Sequence, residues 1–398
     1  MKHIVCLGLI CSFALFFSSA IVAQGETKAD YRSRADLLLQ RIHRLYAAKG
    51  HAGLYTETYP LNSENTVTYL AEGAPQKRNQ EVSFLWPFSG MLSGCVSLYK
   101  QTGDPVYLKM LEEQILPGLE TYWDETREPF CYQSYPRFNG DSDRFYDDND
   151  WLAIDFCDLY LATKKQVYLD KAVALHNYIY SGWTDELGGG IYWCEQQRKS
   201  KHTCSNAPAI VLCMKLYEAT GDEKYLTQAK QTYDWTKKHL LDPADYVYWD
   251  NIKLDGTIAK EKYSYNTGQM IQAAVLLYDV TKEKSYLDDA KKSATGAIKH
   301  FTEVRKGITG HEKQFYTRSP WFNVILFRGL NALANATQDP SYVEVMAGNA
   351  DYVWVNSLNE HGLPGKDWAK PSEDVYTWLL DAACMIELYS ELIETNNN

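Results

Sequence analysis

The sequence predicts an all-α fold, an (α/α)6 toroid built from six helical hairpins. Three observations predict it: a recurring phrase, an alternation of apolar and amphipathic helices, and a total of twelve helices. The phrase occurs as SLYKQTGDPVYL, DLYLATKKQVYL, KLYEATGDEKYL and LLYDVTKEKSYL, with a weaker fifth copy, ALANATQDPSYV. Its last tyrosines stand at 107, 168, 225, 286 and 342, and the steps of 61, 57, 61 and 56 residues each fit one helical hairpin with a long loop.

Each phrase marks a tight turn between a buried helix and an exposed helix. The helices before it, such as WLAIDFCDLYLA and APAIVLCMKLYEA, are apolar nearly all round, as buried helices are. The helices after it, such as YLTQAKQTYDWTKKHL, are amphipathic and charged, which is typical of an outer layer. Helices near 30–48 and 373–394 complete the twelve, and no linker rich in Pro or Gly divides the chain. We therefore expect one domain over residues 24–398.

The first 23 residues have the composition of a secretory signal peptide. A basic start precedes an apolar run from Ile4 to Phe17, and small residues end at Ala23. Ile10 stands before Cys11, where a lipoprotein signal needs a small side chain. We therefore expect an exported protein, periplasmic or secreted, rather than an anchored one. No later segment approaches the roughly 20 apolar residues of a membrane span.

The charge of the remaining chain limits its partners. Without the signal peptide it has 39 lysines and arginines against 51 aspartates and glutamates, a net charge of −12. Such an acidic surface argues against nucleic acid or an anionic membrane as partner and suits a neutral or cationic ligand. We expect a monomer.

The cysteines do not predict a disulfide framework. Seven remain after the signal peptide, namely Cys95, Cys131, Cys157, Cys194, Cys204, Cys213 and Cys384. An odd number spread through a large apolar chain is typical of buried free thiols. Cys194 and Cys204 flank one polar loop, and whether they pair stays open.

Polar and aromatic stretches precede the inner helices and predict one shared mouth. They are SFLWPFSG, YDDNDW, CSNAP, YSYNTGQ, SPWF and EDVYTW, and the loop GGGIYW opens on the same face. Because inner helices of such a ring run parallel, their N-termini meet on one side. Flat rings there suit the C–H faces of sugars, and the candidates are Trp86, Tyr146, Trp151, Tyr192, Trp193, Tyr265 and Trp321. Candidates for hydrogen bonds to hydroxyl groups are Asn206, Asp250, Asn266 and Gln269.

The adjacent acids Asp147 and Asp148 allow three interpretations. The first is helix capping, in which Asp148, Asn149 or Asp150 accepts bonds from free backbone N–H groups. The second is a calcium site, suggested by DSD at 141–143, although this stretch lacks the turn glycine and terminal glutamate of a calcium loop. No histidines show a metal-ligand spacing, and we expect no metal and no other cofactor.

The third interpretation is hydrolysis of a glycosidic bond, which uses one ionised and one protonated carboxyl group about 5 to 9 Å apart. Adjacent side chains leaving an extended loop reach the short end of that range. Their repulsion raises the pKa of one partner, while the helix N-terminus favours a charge on the other. This interpretation explains both the adjacency and the position of the pair.

At these residues the sequence resembles glycoside hydrolase family 76, the α-1,6-mannanases. The resemblance rests on FLWPFSG, YDDNDWLA, GGGIYW, SNAP, VYWD, YSYNTGQ and WFNVILFRGL. It implies an (α/α)6 fold and endo-acting, retaining cleavage of α-1,6-linked mannan. It also implies that Asp147 is the nucleophile, Asp148 the general acid/base and Asp250 a carboxylate that binds the reacting sugar. Two positions depart from the family pattern: Trp249 is an extra residue, and Asp150 stands where a small residue is expected.

Other functions stay open at this point. A transglycosylase that attaches mannosylated glycans to a cell wall would keep the same site and change the acceptor. A non-catalytic mannan-binding protein would keep the aromatic mouth and lack turnover. A sugar epimerase or an unsaturated uronyl hydrolase would share the toroid, but the signal peptide and the lack of histidine pairs on the inner helices argue against the epimerase.

Overall fold

The computed structural model describes residues 30–62, 64, 80–317 and 319–393, which form a double ring of helices. The helices are α1 (Tyr31–Leu45), α2 (Leu85–Thr102), α3 (Pro105–Met110), α4 (Leu116–Leu119), α5 (Tyr146–Thr163), α6 (Gln166–Tyr180), α7 (Thr203–Thr220), α8 (Glu223–Leu240), α9 (Ser264–Thr281), α10 (Lys284–Phe301), α11 (Pro320–Thr337), α12 (Ser341–Asn356) and α13 (Leu379–Glu391). Helices α2, α5, α7, α9, α11 and α13 form the inner ring, in which each packs on the next and α13 closes on α2. The predicted toroid is confirmed; the predicted signal peptide lies outside the described residues.

The outer ring has six members within the described residues, although one of them is broken. After α3 the chain makes a π-helical turn at Leu111–Ile115, continues as α4, and ends in a 3₁₀ turn at Glu120–Tyr122. Pro117, which lacks a backbone N–H, lies at the start of α4. These pieces together occupy the place of one outer helix, so the twelve predicted positions are all filled. None of the helices in the described ranges is long and apolar enough to cross a membrane.

The recurring phrase forms the turn at the end of five of the six inner helices, α2, α5, α7, α9 and α11. In the first four copies the turn residue is left-handed, and its N–H bonds to the carbonyl of the first tyrosine of the phrase, at 2.7 or 2.8 Å. The turn residues are Gly103, Lys164, Gly221 and Lys282, and the tyrosines are Tyr99, Tyr160, Tyr217 and Tyr278. The second tyrosine of each copy is buried in the outer layer. The repeat thus encodes a left-handed helix end and a buried anchor for the returning helix.

Asparagines at the fourth position of inner helices fix the loops around the mouth. Asn149 of α5 accepts a bond from the Tyr132 N–H and donates to the Tyr132 carbonyl, both at 2.9 Å. Asn206 of α7 makes the same pair of bonds to Ile191, at 2.8 and 3.0 Å. Asn323 of α11 donates to a loop carbonyl at 2.9 Å. Each amide therefore holds the segment before its helix against the helix start.

Short strands, which the sequence did not predict, order the long loops. They are β1 (Thr58–Tyr59), β2 (Trp123–Asp124), β3 (Cys131–Tyr132), β4 (Ser200–His202), β5 (Trp249–Lys253), β6 (Ile258–Lys262), β7 (Thr302–Lys306), β8 (Glu312–Tyr316) and β9 (Thr377–Trp378). They form a three-stranded sheet β4–β5–β6 and the antiparallel pairs β1–β9, β2–β3 and β7–β8. The three-stranded sheet lies beside the mouth and carries two of its polar residues.

A network of charged residues lies along the ring axis at the other end of the inner helices. Its members are Lys100, Asp155, Asp158, Lys215, Arg328, Glu387 and Glu391, and they surround a cavity of about 60 Å³. Lys100 lies 3.2 Å from Asp158, and Lys215 contacts the same carboxylate. Arg328 is paired with Glu387. We call this set the axial ion network.

Candidate active site

A cavity of about 440 Å³ opens where the inner helices begin. It is lined by Phe84, Trp86, Ser134, Phe145, Asp147, Asp148, Trp151, Trp193, His202, Cys204, Asp250, Tyr263, Tyr265, Ser319, Trp321, Phe322 and Trp378. The start of every inner helix contributes at least one of these side chains. The predicted convergence of remote stretches on one mouth is therefore confirmed.

Asp147 and Asp148 are the second and third residues of α5 rather than part of an extended loop. The residue that precedes the helix is Phe145, and no side chain caps the helix there. Asn149, one of the proposed capping residues, is hydrogen-bonded to the backbone of Tyr132 instead. Capping therefore does not account for this acidic stretch. The pair instead stands where backbone N–H groups have no intrahelical partner and the helix dipole favours negative charge.

Asp147 is surrounded by neutral hydrogen-bond donors. Its Oδ2 accepts a bond from the Trp193 indole N–H at 3.1 Å. Burial raises the pKa of Asp147 to about 6, and bonds from the Cys204 thiol, from Trp193 and from the first backbone N–H groups of the helix oppose that rise. These donors stabilise the ionised form of a carboxyl group that burial alone would leave protonated.

Asp148 has the opposite surroundings. Burial and the neighbouring charge on Asp147 hold the pKa of Asp148 well above its ordinary value. The two groups titrate as a pair, and the first proton taken up by the ionised pair goes to Asp148. The site therefore holds one charged and one protonated carboxyl group side by side, the arrangement needed for acid-assisted displacement at a glycosidic bond.

The β4–β5–β6 sheet supplies a third acid, Asp250. The register of β5 against β6 shifts between Trp249 and Asn251, so the strand pairing is irregular at Asp250, as often happens beside active sites. Its Oδ2 lies 4.0 Å from Nδ1 of His202. Burial lowers the pKa of His202, and the nearby Asp250 only partly opposes this effect. His202 is therefore neutral near pH 7, and its ring stacks on Trp193 with centroids 5.0 Å apart.

The loop that carries Trp193 is fixed by a buried lysine. The ammonium group of Lys201 donates to three carbonyls of this loop, those of Thr184, Glu186 and Gly189, at 2.9, 2.7 and 2.5 Å. Gly190 has φ of +88°, and a Cβ atom there would lie 2.6 Å from the ring of Trp235. The glycines of GGGIYW thus permit a tight loop that places the Trp193 indole against Asp147.

Aromatic rings form a continuous belt around the rest of the cavity. We call Trp86, Trp151, Tyr265, Trp321, Phe322 and Trp378 the aromatic belt. Trp86 meets Trp321 and Trp378 edge to face, each with centroids 5.3 Å apart. Tyr265 stacks on Phe322 at 4.4 Å. Mutual packing holds these rings in place, so the belt offers rigid flat surfaces to a ligand.

The sequence-predicted site residues divide into two groups. Those that line the cavity are Asp147, Asp148, Trp86, Trp151, Trp193, Asp250, Tyr265 and Trp321. Those that do not line it are Tyr146, Tyr192, Asn206, Asn266 and Gln269. All five of the latter stand within the predicted stretches but turn away from the opening.

The structure gives most of the second group other contacts. Tyr146 stacks on Tyr178 with centroids 4.9 Å apart, and Lys201 lies 5.1 Å from the centre of the Tyr192 ring. The side chain of Asn206 is hydrogen-bonded to the backbone of Ile191, as described above. Asn266 is fully buried in α9, and Gln269 donates to Gln272 at 3.0 Å within that helix. Of the polar side chains expected to bind sugar hydroxyls, Asn206 and Gln269 thus bond within the protein, and Asp250 lines the cavity.

Sequence reasoning also missed several lining residues. Four of them belong to the stretches that predicted the mouth, namely Phe84, Tyr263, Phe322 and Trp378. The sequence did not indicate which side chains of those stretches face the cavity. His202 and Cys204 stand at the start of α7, and the only role suggested for the Cys204 thiol itself was a pairing with Cys194. Both thiols are free and buried. Cys204 is turned towards Asp147 instead, and no sequence signal indicated that contact.

The stretch DSD at 141–143, which suggested a calcium site, contains an acid that pairs with a basic side chain. Asp141 is exposed and forms an ion pair with Arg137 four residues earlier. Across the described ranges, no group of three or more His, Cys, Asp or Glu side chains is arranged to hold a metal ion.

Comparison with protein families and solved structures supports the resemblance inferred from the motifs. The model of glycosyl hydrolase family 76 matches residues 46–398. A family 76 glycoside hydrolase from a bovine Bacteroides thetaiotaomicron strain superposes with a TM-score of 0.82 at 30% identity, covering 92% of this chain and 78% of that one. An inactive variant of the α-1,6-mannanase of Salegentibacter sp. HEL1_6, in complex with α-1,6-mannotriose, gives 0.72 at 28% identity, covering 92% of this chain and 100% of that one.

Curated relatives match over shorter stretches. The meiotically up-regulated gene 191 protein of Schizosaccharomyces pombe is 27% identical over 208 residues, 46% of each chain. The mannan endo-1,6-alpha-mannosidase DCW1 of Candida glabrata is 30% identical over 125 residues, 29% of this chain and 28% of that one. The aligned part thus spans less than half the length of these relatives.

Proposed function

This chain belongs to glycosyl hydrolase family 76, and on that premise we propose that it hydrolyses α-1,6-mannosidic bonds in mannan or mannooligosaccharides by a retaining, double-displacement mechanism. The observation that carries the proposal is the carboxyl pair Asp147 and Asp148, one stabilised as an anion and the other as an acid, within an aromatic cavity. The substrate is suggested by relatives named as mannan endo-1,6-alpha-mannosidases and by the bound α-1,6-mannotriose of the Salegentibacter structure.

In the first displacement Asp147 attacks the anomeric carbon of the scissile mannosyl unit. A bond forms between its carboxylate oxygen and that carbon, the glycosidic C–O bond breaks, and Asp148 gives its proton to the leaving oxygen. The product is a covalent mannosyl-enzyme and a shortened chain with a free hydroxyl group.

In the second displacement Asp148, now ionised, takes a proton from water. The resulting oxygen attacks the anomeric carbon, the bond to Asp147 breaks, and the glycan is released with the original configuration at its new reducing end. Because Asp148 has no stabilising donors comparable with those around Asp147, it regains the proton and returns to its starting state.

The surrounding residues suit a neutral, polyhydroxylated substrate. Asp250 offers a carboxylate for sugar hydroxyl groups, and the aromatic belt offers flat surfaces for the C–H faces of pyranose rings. Residues 1–23 have signal-peptide composition, which supports action outside the cytoplasm, where a polymeric mannan would be encountered.

The test is incubation of the purified protein with linear α-1,6-mannan and with α-1,6-mannooligosaccharides, with products followed by chromatography and the new anomeric centre followed by NMR. We expect short products with retained α configuration from the wild type, and none from Asp148→Ala. Transfer of mannosyl units to added acceptor oligosaccharides, in preference to water, would favour a transglycosylase. Binding without turnover across pH 4 to 9 would overturn the proposal in favour of a mannan-binding protein.

A further inference from the structure

His202 stands between two groups of the active site, the carboxylate of Asp250 and the indole of Trp193. It is the last residue of β4 and pairs with Asn251 of β5. Its side chain lines the active-site cavity, although only 13% of that side chain is exposed. The two displacements described above assign this imidazole no role. Its contacts show what it does for the groups on either side of it.

Both ring nitrogens of His202 face other groups of the protein. Nε2 lies 2.8 Å from the Ser200 hydroxyl, and Nδ1 lies 4.0 Å from Oδ2 of Asp250. A neutral imidazole carries its hydrogen on one nitrogen only. With that hydrogen on Nε2, the lone pair of Nδ1 would face a carboxylate, which is electrostatically unfavourable. The favoured arrangement therefore has the Ser200 hydroxyl donating to Nε2, while Nδ1–H points at Asp250.

The contacts of Asp250 fall on one of its two oxygens. Oδ2 accepts a bond from the Asn251 side-chain amide at 2.8 Å, and it is the same oxygen that faces Nδ1 of His202. Two N–H groups directed at one oxygen restrict rotation of the carboxyl group. Oδ1 is then the oxygen that can accept a hydrogen bond from a sugar hydroxyl group.

The ring of His202 also supports Trp193. The two rings are nearly parallel, at an angle of 21°, with centroids 5.0 Å apart. The indole N–H of Trp193 donates to Oδ2 of Asp147 at 3.1 Å. Stacking restricts the tilt of the indole and so keeps its N–H directed at Asp147. Because both nitrogens of the imidazole already face protein groups, His202 acts through its neighbours and not by a polar contact with the substrate.

We propose that His202 is a positioning residue for the reaction, in which its Nδ1–H group orients Asp250 and its ring holds Trp193 against Asp147. The inference rests on the proposed function, since it takes the cavity to bind a mannan chain. The two supports are separable, because one needs an N–H group and the other needs a flat ring. Loss of the first should weaken substrate binding. Loss of the second should weaken the hydrogen bond that favours the charged form of Asp147.

Two substitutions separate the supports. His202→Asn retains an N–H group at the position of Nδ1 but has no ring to stack on Trp193. His202→Phe retains a flat ring and has no N–H group. His176→Asn is the matched control, because His176 is also a buried histidine, stacked on Tyr180 with centroids 4.6 Å apart. It lies on the outer helix α6, away from the cavity.

The first measurement is the pH profile of kcat/KM for α-1,6-mannotetraose, corrected for the folded fraction of each variant. His202→Phe should lower the plateau about three- to tenfold and keep the acidic limb. His202→Asn should restore the plateau and move the acidic limb up by about half a pH unit, because the Trp193 donor is less firmly held. His176→Asn should change neither. A structural role alone would leave plateau and limb unchanged in both His202 variants, and that result would overturn the proposal.

The second measurement locates the imidazole hydrogen by nuclear magnetic resonance. Long-range ¹H–¹⁵N spectra at pH 7 should show His202 as the Nδ1–H tautomer, with its signal assigned by its absence from His202→Phe. An Nε2–H tautomer would overturn the proposal and leave the proposed function untouched.

Calorimetric binding of α-1,6-mannotetraose in an Asp148→Ala background separates the proposal from the proposed function. Weaker binding by His202→Phe than by His202→Asn, together with a wild type that cleaves no mannan, would overturn the proposed function and keep the role of His202 in orienting Asp250. Equal binding by the two variants would overturn that role. Absence of binding by the Asp148→Ala parent would overturn both.

Discussion

Helix α5 carries acidic side chains near both ends, and their surroundings differ. At its start, Asp147 and Asp148 meet neutral donors or each other, and the pKa of each is raised, chiefly by burial. Near its end, burial again acts to raise the pKa of Asp158, but the ammonium groups of Lys100 and Lys215 together hold that pKa well below its ordinary value. Removal from water thus has two outcomes in one helix. At its start, where no cation acts on Asp147 and Asp148, it gives a pair that can exchange protons. At its end, where two ammonium groups contact Asp158, that acid stays ionised.

The comparison separates residues kept for chemistry from residues kept for folding. A pair with raised pKa values has protons to exchange near neutral pH, at the cost of stability. The axial ion network joins the inner helices, and its basic side chains lower the pKa values of Asp158 and Glu391. These two carboxylates therefore have little capacity to exchange protons near neutral pH. Substitutions at the two ends of α5 should therefore affect different properties of the protein.

The largest expected effect is on turnover, at the start of α5. Asp147→Ala and Asp148→Ala should each lower kcat/KM about a thousandfold or more, because the first removes the nucleophile and the second the proton donor. Neither should lower the free energy of unfolding, since each removes a half-buried carboxyl group with a raised pKa. Steady-state hydrolysis of α-1,6-mannotetraose and urea unfolding measure the two properties. Near-normal activity in Asp147→Ala would refute the assignment.

At the other end of α5 the effect should fall on stability. Asp158→Asn should lower the free energy of unfolding by about 3 to 5 kcal/mol, because it leaves Lys100 and Lys215 with less compensation in a buried site. The folded fraction should keep its kcat/KM. Asp170→Asn, an exposed change on α6, is the matched control. A loss of turnover larger than the loss of folded protein would show that the two ends of α5 are coupled.

The pH profile of kcat/KM should be bell-shaped. Its acidic limb reflects ionisation of Asp147, with a pKa of about 6, and its alkaline limb reflects loss of the proton from Asp148 at higher pH. Trp193→Phe keeps an aromatic ring but removes a donor to the charged form of Asp147, so the pKa of Asp147 should rise. The acidic limb should then move up by about one pH unit. An unchanged limb would show that another group sets it.

The smallest expected effect concerns Asp150, whose two carboxyl oxygens are buried without hydrogen-bond partners among the described residues. Burial and the charge of Asp147 hold the pKa of Asp150 well above its ordinary value. The folded state thus binds a proton that the unfolded state loses above about pH 4, and the wild type loses stability as pH rises. Asp150→Asn has no titratable group at this position, so it takes up no such proton.

The stability of Asp150→Asn relative to the wild type should therefore increase from pH 4 to pH 7, by at least about 1 kcal/mol. Urea unfolding at the two pH values measures the difference. A constant difference between the proteins would mean that Asp150 is ionised in the folded state. Asp150 would then be an ionised acid like Asp158 and not a group with a raised pKa like the catalytic pair.

The sequence alone determined the ring and the position of its mouth. Periodicity and the repeated phrase report which helices are buried and where each turns, because burial and left-handed helix ends act on local stretches of chain. The acidic pair was likewise visible in sequence, as two adjacent carboxyl groups at a helix start. Even its division into one anion and one acid follows from repulsion and the helix dipole.

Which neighbours complete the site depends on contacts between distant parts of the chain. Asn206 and Trp378 both stand in predicted mouth stretches, yet Asn206 binds the backbone of Ile191 while Trp378 faces the cavity. The contact of Cys204 with Asp147 and the pairing of Asp158 with two lysines join separate helices. Such contacts depend on how each helix is rotated about its axis and how each loop packs, and residue types along one chain do not specify that rotation.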